Sequence, residues 1–425
     1  MRVGAREASV AVAVLLRTAS LSAQTQPDPV LPGDTVTAPG PFPRPGGLPG
    51  PPAPAAVDAR RRPRAWEYAV GAGVGWDSNI PFLGPDGPSD VMLIPRGGLT
   101  RTFSSPHGEL RATAAGRFSG YPHHEDLRRY YADASLEGSY RSSPATEWRG
   151  SAAYELGDSF SSFILLEQGA ALPRVKTRSM SGTVGLTRQT GKRTTLRLDG
   201  RFYRTEFDAA TLINGDSVRG SLALERQVGK RTAAALRYTV EDVLSDEANR
   251  AYLTHFASVQ WTRVLSPRSA VMAEAGSSFT PDAERAGLQH SQSFFGGASL
   301  SRHVKRSGVT LFVRREVMPA FGIGLSRLEL RAGLGATVPF GRAWELQASA
   351  THVQPERSRV APRADAVADD AYLVIGRRLR GQLGISAEAK YRRRGQTSGL
   401  PTADTFQAGL FLTLLSPAGR APEDR

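Results

Sequence analysis

Two stretches carry the residue types of a nucleophile. Gly157-Asp-Ser159 and Gly215-Asp-Ser217 each set a hydroxyl beside a carboxylate, the composition of a serine-hydrolase nucleophile block. Acyl transfer also needs a histidine base and donors for the oxyanion. Neither stretch has a companion His-Asp block, and no Gly-x-Ser-x-Gly elbow occurs. His123-His124-Glu125-Asp126 gathers metal-ligating types, but adjacent histidines lack the i, i+4 spacing that puts two imidazoles on one helix face. There is no phosphate-binding glycine loop and no dinucleotide fingerprint. The chain has no cysteine, which excludes thiolate metal sites, disulfides and a lipid anchor on an N-terminal cysteine. The sequence therefore predicts no catalysis, no cofactor and no metal.

The remaining chemistry is charge, and it recurs every second residue. Arg111 and Arg117 share a row with Asp133 and Glu137 of the next segment. Arg197, Asp199 and Arg201 face Arg219 and Glu225, with Arg237 and Glu241 following. Arg314, Glu316, Arg327, Glu329, Arg331 and Glu345 form another group, and Glu388, Lys390 and Arg392 a last one. Buried in a dry core, such charges would carry a large desolvation cost even when paired. They fit the lining of an aqueous lumen. Two roles stay open: a field that selects solutes, or cross-strand ion pairs that only make the interior wettable.

A period of two means strands, and turns mark their lengths. Short turns centre near Pro106, Pro144, Gly191, Gly229, Pro267, Arg306, Gly341 and Gly381, a spacing of about 40 residues. Two are near copies, Gln189-Thr-Gly-Lys-Arg-Thr194 and Gln227-Val-Gly-Lys-Arg-Thr232. Between them lie longer polar stretches, among them Asp77–Asp90, Gly157–Pro173, Pro281–His290 and Arg357–Asp369. Two long strands per period, with short turns at one end and long loops at the other, predict an all-β fold. It is a transmembrane up-and-down antiparallel barrel of about 18 strands over residues 65–415. The predicted strands begin near Trp66, Val91, Glu109, Tyr130, Glu147, Lys176, Thr194, Val218, Thr232, Tyr252, Ala270, Phe294, Val309, Leu325, Trp344, Tyr372, Ile385 and Thr405. Of the loops, Gly157–Pro173 is the expected one to fold inward.

The row opposite the charges is apolar: Leu110, Ala112, Ala114, Gly116 and Phe118; Leu222 and Leu224; Leu328, Leu330, Ala332, Leu334 and Ala336; Phe406, Ala408, Leu410, Leu412 and Leu414. This is the lipid side, because a cation at mid-bilayer costs about 2–4 kcal/mol. Trp66, Trp76, Tyr130, Tyr140, Trp148, Trp261, Trp344 and Tyr391 fall near strand ends, where aromatics form interfacial girdles. Arg188, Arg226 and Arg302 sit on the apolar row beside short turns, within reach of headgroups.

The N-terminal residues read differently. Arg2 and Arg6, an apolar Val10–Leu16 and small residues at Ser20, Ser22 and Ala23 form a secretory signal peptide over residues 1–23. Residues 24–64 are rich in Pro and Gly and cannot bury apolar area, which predicts a disordered periplasmic linker and a possible tether to a periplasmic partner. Residues 416–425 form a polar tail. The net charge of +14 is scattered rather than gathered on one motif, so no nucleic-acid partner is expected.

Gln407-Ala-Gly409-Leu-Phe-Leu412-Thr-Leu414 resembles the C-terminal signal by which outer-membrane barrels are recognised and inserted. The resemblance implies that Gln407, Gly409, Leu412 and Leu414 contact the barrel-assembly machinery. The polar tail departs from the usual terminal aromatic. Val74-Gly-Trp-Asp-Ser-Asn-Ile80 is similar to the stretch that opens barrels of the β-barrel porin 2 family and barrels encoded with exopolysaccharide export systems, with Trp76 in place of the usual Tyr. These resemblances imply the outer membrane of a diderm bacterium, with outer-membrane lipid and lipopolysaccharide as surroundings; an even strand count with the signal peptide removed predicts both termini in the periplasm. The expected function is a porin-like channel for small hydrophilic solutes or polysaccharide. The alternatives are a non-conducting structural or adhesive barrel, and a secretion channel docking a periplasmic partner through residues 24–64. No feature marks an oligomer face. Gln407→Ala with Gly409→Ala is expected to abolish insertion, scored as loss of the protein from the outer-membrane fraction; full insertion would overturn the signal assignment.

Overall fold

In the computed structural model the described residues are 66–82, 84–158, 175–210, 212–246, 250–304, 307–320, 325–341, 344–356, 367–379, 382–395 and 401–415. The signal peptide, the Pro-rich segment, the polar tail and most of Gly157–Pro173 lie outside them. Eighteen strands are present: β1 (Glu67–Asp77), β2 (Asp90–Ser105), β3 (Gly108–Ser119), β4 (Arg129–Ser143), β5 (Thr146–Asp158), β6 (Lys176–Gly191), β7 (Thr194–Phe207), β8 (Gly215–Gly229), β9 (Thr232–Ser245), β10 (Arg250–Ser266), β11 (Ser269–Phe279), β12 (Gln292–Val304), β13 (Ser307–Ala320), β14 (Leu325–Phe340), β15 (Trp344–Pro355), β16 (Ala368–Arg378), β17 (Leu383–Arg394) and β18 (Ala403–Leu415). Each pairs antiparallel with the next, and β18 pairs with β1, so one sheet closes on itself. Following the pairing once round the ring returns to β1 displaced by about 20 residues, a stagger that tilts the strands about 40° from the axis.

Every predicted strand is found, and the eight short turns join the pairs expected. Two details differ. Strands reach 17 residues, in β10, longer than expected. Two of the connections at the long-loop end, 246–249 and 321–324, are only four residues each. In both cases the flanking strands stay paired almost to their ends, as Arg250↔Ser245 and Ala320↔Leu325 show. The length there is in the strands rather than in the loop.

Alternation sets the two faces. Leu110, Phe118, Leu222, Leu224, Leu330, Leu334, Phe406, Leu410, Leu412 and Leu414 are all exposed on the outside, while Arg117, Asp133, Thr205, Glu241 and Arg392 turn inward. A ring of exposed apolar side chains around a closed ladder is the reverse of a soluble fold and defines a transmembrane β-barrel. Trp66, Phe103, Trp148, Trp261 and Trp344 lie toward the short-turn end; Trp76, Tyr130, Phe279, Tyr391 and Phe406 lie toward the other. No helix among the described residues is long and apolar enough to cross a membrane.

The seam between β1 and β18 is built from missing side chains. Gly71, Gly73 and Gly75 form the inward row of β1. A Cβ on Gly73 would come within 2.3 Å of the Phe411 ring, and one on Gly71 within 2.5 Å of the Leu412 carbonyl oxygen. The bare strand lets Phe411 lie flat, and the Arg96 guanidinium stacks 3.9 Å from its centroid. Arg96 then reaches over β1 and β18 to Glu388 on β17 at 2.5 Å, with Ser386 and Thr413 each at 3.3 Å. Gly73→Ala is expected to destabilise the closed barrel by about 1–3 kcal/mol through overpacking, read as a lower temperature for loss of the fast-migrating unheated band on a gel; Phe411→Ala in the same chain should restore part of it.

Candidate functional site

The lumen has two unlike flanks. On the flank from β13 through β18 to β2, the inward charges are buried or half-buried, and most are paired. Arg392 meets Asp370 at 2.9 Å, with side chains 3% and 5% exposed. Glu329 is fully buried between Arg327, at 2.9 Å, and Arg331, and Arg331 also lies near Glu316. Arg314 bonds Glu316 at 3.6 Å. Lys390 is buried beside Arg117, Arg129, Asp158 and Glu388 around a cavity of about 50 Å³. Glu345 accepts from Gln347 at 2.6 Å.

On the flank from β3 to β9 the charges meet water. Glu137, Arg149, Asp199 and Arg201 are exposed, and Arg111, Arg117, Arg197, Arg219, Glu225 and Arg237 are half-buried. Arg111 stands directly opposite Glu137, and Arg197 reaches Glu225 at 3.1 Å. Arg201 faces Arg219, which lies 5.1 Å from the Phe256 ring centroid. Asp133 and Glu241 are buried. Acids and bases alternate along this flank, so its field is mixed rather than of one sign.

The expected inward loop, Gly157–Pro173, lies outside the described residues except for its first two positions. Another element fills the mouth. β12 and β13 pair only as far as Gly296↔Arg315, and β14 joins β15 only from Glu329↔Pro355. Residues 317–320 and 325–328 therefore have ladder partners only across the hairpin, apart from the Leu328 carbonyl, which accepts the Glu356 N–H at 2.8 Å. A free two-stranded ribbon twists strongly, and this one leaves the wall. Val317, on the row that faces outward lower down the strand, is buried with Tyr203, Phe207, Val243, Tyr252 and Phe256 from the inner face of β7, β9 and β10. Leu328 packs against the same cluster. Ser326 Oγ lies 2.5 Å from the Tyr252 hydroxyl, four strands away round the ring. The β11–β12 loop completes the lid: Ala286 and Leu288 join the cluster, and the Ala286 carbonyl accepts the Ser326 N–H at 2.7 Å. Behind the departed tip Arg315 closes the wall, donating to Glu356 at 2.5 and 3.0 Å and to the Phe294 carbonyl.

The sequence motifs resolve into structural roles. Asp77 accepts from the Asn79 N–H, Thr405 Oγ1, Gln407 Nε2 and the Tyr121 hydroxyl at 2.7–3.2 Å. Asn79 Oδ1 accepts the Phe82 N–H, and its amide donates to the Gly84 and Asp404 carbonyls. Ser78 Oγ accepts the Phe406 N–H at 2.8 Å. Asp77, Ser78 and Asn79 thus cap the turn after β1 with short polar side chains, and they tie the first loop to the last strand. Gln407 thus has a partner in the wall, Gly409 stands opposite Gly75, and Leu412 and Leu414 point to lipid. His123 holds Asp90 through its ring Nδ1 at 2.7 Å and its N–H at 2.8 Å. Among the described residues no three His, Asp or Glu side chains converge as metal ligands. Ser217 turns to the lumen, whereas Asp216 turns outward to Arg204 at 3.4 Å. Adjacent strand residues face opposite ways, so that serine and that aspartate cannot act on one substrate.

Arg96, Asp370 and Arg315 were not singled out by sequence reasoning. Arg96 and Asp370 share the inward alternation of their strands, a signal that was present. The partner of Arg96, Glu388, lies on β17, which only closure brings near, whereas Arg392 stands directly opposite Asp370 in the β16–β17 hairpin.

No protein-family model matches the sequence, and neither does any curated protein. Solved barrels similar in layout include the Pseudomonas aeruginosa outer membrane protein OpdK, 10% identical over 83% of this chain and 99% of that chain, TM-score 0.42. OccK2 (OpdF) of the same organism is 12% identical over 83% and 98%, TM-score 0.43. The siderophore receptor PirA, also from Pseudomonas aeruginosa, is 8% identical over 83% and 81%, TM-score 0.40.

Glu329→Gln is expected to destabilise the barrel by about 3–5 kcal/mol, because two buried guanidinium groups lose their common counter-charge. The denaturant midpoint of the refolded protein checks this; a shift no larger than that of Glu137→Gln, on the wet flank, would contradict it.

Proposed function

We propose that this protein is an outer-membrane channel for small hydrophilic solutes, which pass along the β3–β9 flank. The observation that carries the reading is the asymmetry of the lumen. Charges on one flank are buried or half-buried and mostly paired, while on the other Glu137, Arg149, Asp199 and Arg201 stay exposed to water. A wall lined by mixed charge keeps a water column favourable without binding one ion tightly. Small solutes fit better than a polysaccharide. The inward aromatics Tyr131, Tyr203, Phe256, Tyr372 and Phe411 are all buried and offer no stacking track for a sugar chain.

The inward β13–β14 tip and the β11–β12 loop favour a second reading, a barrel closed at its mouth that serves a structural or adhesive role. A secretion channel that docks a partner through residues 24–64 is a third, which rests on composition alone.

Single-channel conductance in a planar bilayer under a salt gradient separates them. The channel reading expects steady conductance with weak selectivity between cations and anions, raised about two-fold or more by deletion of residues 282–288. Deletion of residues 26–64 should leave it unchanged. Silence across a wide voltage range, relieved by neither change, would favour the structural barrel.

A further inference from the structure

The outward cations of this barrel are treated differently at its two ends. Near the long loops, acids of the chain itself share the outward row and pair several of them, though among the described residues Lys176, Arg178 and Arg393 stand exposed without such a pair. Arg204 meets Glu206 and Asp216, Arg315 meets Glu356, and His352 meets Asp369. Near the short turns the outward row carries Arg188 on β6, Arg226 on β8, Arg263 on β10 and Arg302 on β12. All four are exposed. Among the described residues none of these guanidinium groups has a hydrogen-bond or ion-pair partner. The adjoining turns add Lys192, Arg193, Lys230, Arg231 and Arg268 and contribute no acid. The nearest carboxylate in sequence, Glu225, points inward to Arg197.

Position fixes what can neutralise them. Trp148 pairs with Leu186, and Arg188 is the next outward residue toward the turn. Trp261 stands one outward step above Arg263 in the same way. Tryptophan marks the headgroup boundary, so these arginines lie at the level of the lipid phosphates. Neighbouring members are two strands apart, about 10 Å, and span four consecutive hairpins. A guanidinium takes phosphate oxygens through paired N–H donors. The chain supplies no counter-charge here, and the surrounding phase does.

We infer that the short-turn rim of β6–β13 is a binding surface for anionic phospholipid headgroups, with Arg188, Arg226, Arg263 and Arg302 as phosphate clamps and the turn lysines and arginines as their electrostatic surround. The inference rests on the transmembrane barrel and not on conduction.

The test measures lipid preference by quenching of tryptophan fluorescence with brominated phosphatidylglycerol or brominated phosphatidylcholine in mixed vesicles. Trp66, Trp76 and Trp344 are replaced by Phe, so that Trp148 and Trp261 report from the belt. Phosphatidylglycerol is expected to bind there at least about threefold more tightly than phosphatidylcholine, with the preference falling toward one in high salt. The combined variant R188Q/R226Q/R263Q/R302Q should lose the preference, and the four-lysine variant should keep most of it. Heat-shift on a gel establishes closed barrels in each case. Should the glutamine variant fail to close, the salt dependence of the protein with arginines intact decides the matter. No preference, or one indifferent to salt and to the substitutions, would overturn the inference. Stronger selection of lipid A phosphates than of phosphatidylglycerol would overturn the glycerophospholipid assignment.

Discussion

Everything in this molecule depends on the ladder between β1 and β18. In a membrane each backbone N–H and C=O of the wall must find a partner within the wall, because lipid offers none and each orphan costs several kcal/mol. Seventeen hairpin and loop connections leave two edges, and only their pairing from Ala69↔Leu415 to Asp77↔Gln407 removes them. The chain invests heavily in that join. A glycine row bares β1, Phe411 lies across it, Arg96 spans it to Glu388, and Asp77 collects donors from β18 and from the β3–β4 loop. Backbone pairing, a cation–π stack and a buried ion pair thus meet at one place. The seam is the last pairing that a sequentially assembled ring can form.

The same requirement explains the partition of charge. A barrel of this circumference cannot be filled by one layer of side chains, so it needs ions and water or an inserted element. This chain uses both. The β13–β18 flank is filled largely by ion pairs, and the mouth by a hairpin tip that left the wall. The departure costs the tip its lateral ladder bonds beyond Arg315. Pro319 sits in this segment, where the missing N–H matters least. The remaining wall is closed by the Arg315 fork on Glu356, with Phe294 as a third acceptor. The β3–β9 flank, opposite, is left wet.

The outer surface answers to a different solvent at each level. Leucine and alanine meet the hydrocarbon, and aromatics meet its two boundaries. Beyond them the long-loop end sets acids beside its outward cations, whereas the short-turn rim of β6–β13 leaves its arginines to the surroundings. That difference makes the two rims chemically distinct, although the wall between them is one continuous sheet.

Much of this was legible in the sequence because its causes are local. Turn residues such as Gly191-Lys-Arg and Gly229-Lys-Arg mark reversals, and a strict period of two separates the two faces. Strand number, both rows and the short-turn pattern follow from those alone. The inward charges were readable as a set, since alternation assigns each to a face without knowledge of its neighbour. What tertiary structure alone decided are contacts between residues far apart in the chain. Arg96 and Glu388 are joined by ring closure, and so are Asp77 and Thr405. The inward β13–β14 tip was hidden for the opposite reason: Val317 and Leu328 keep the outward alternation, and only a twist that frees them from β12 and β15 turns that face into the lumen. Periodicity records which side of its own strand a residue occupies. It cannot record where that strand goes once its neighbours let go.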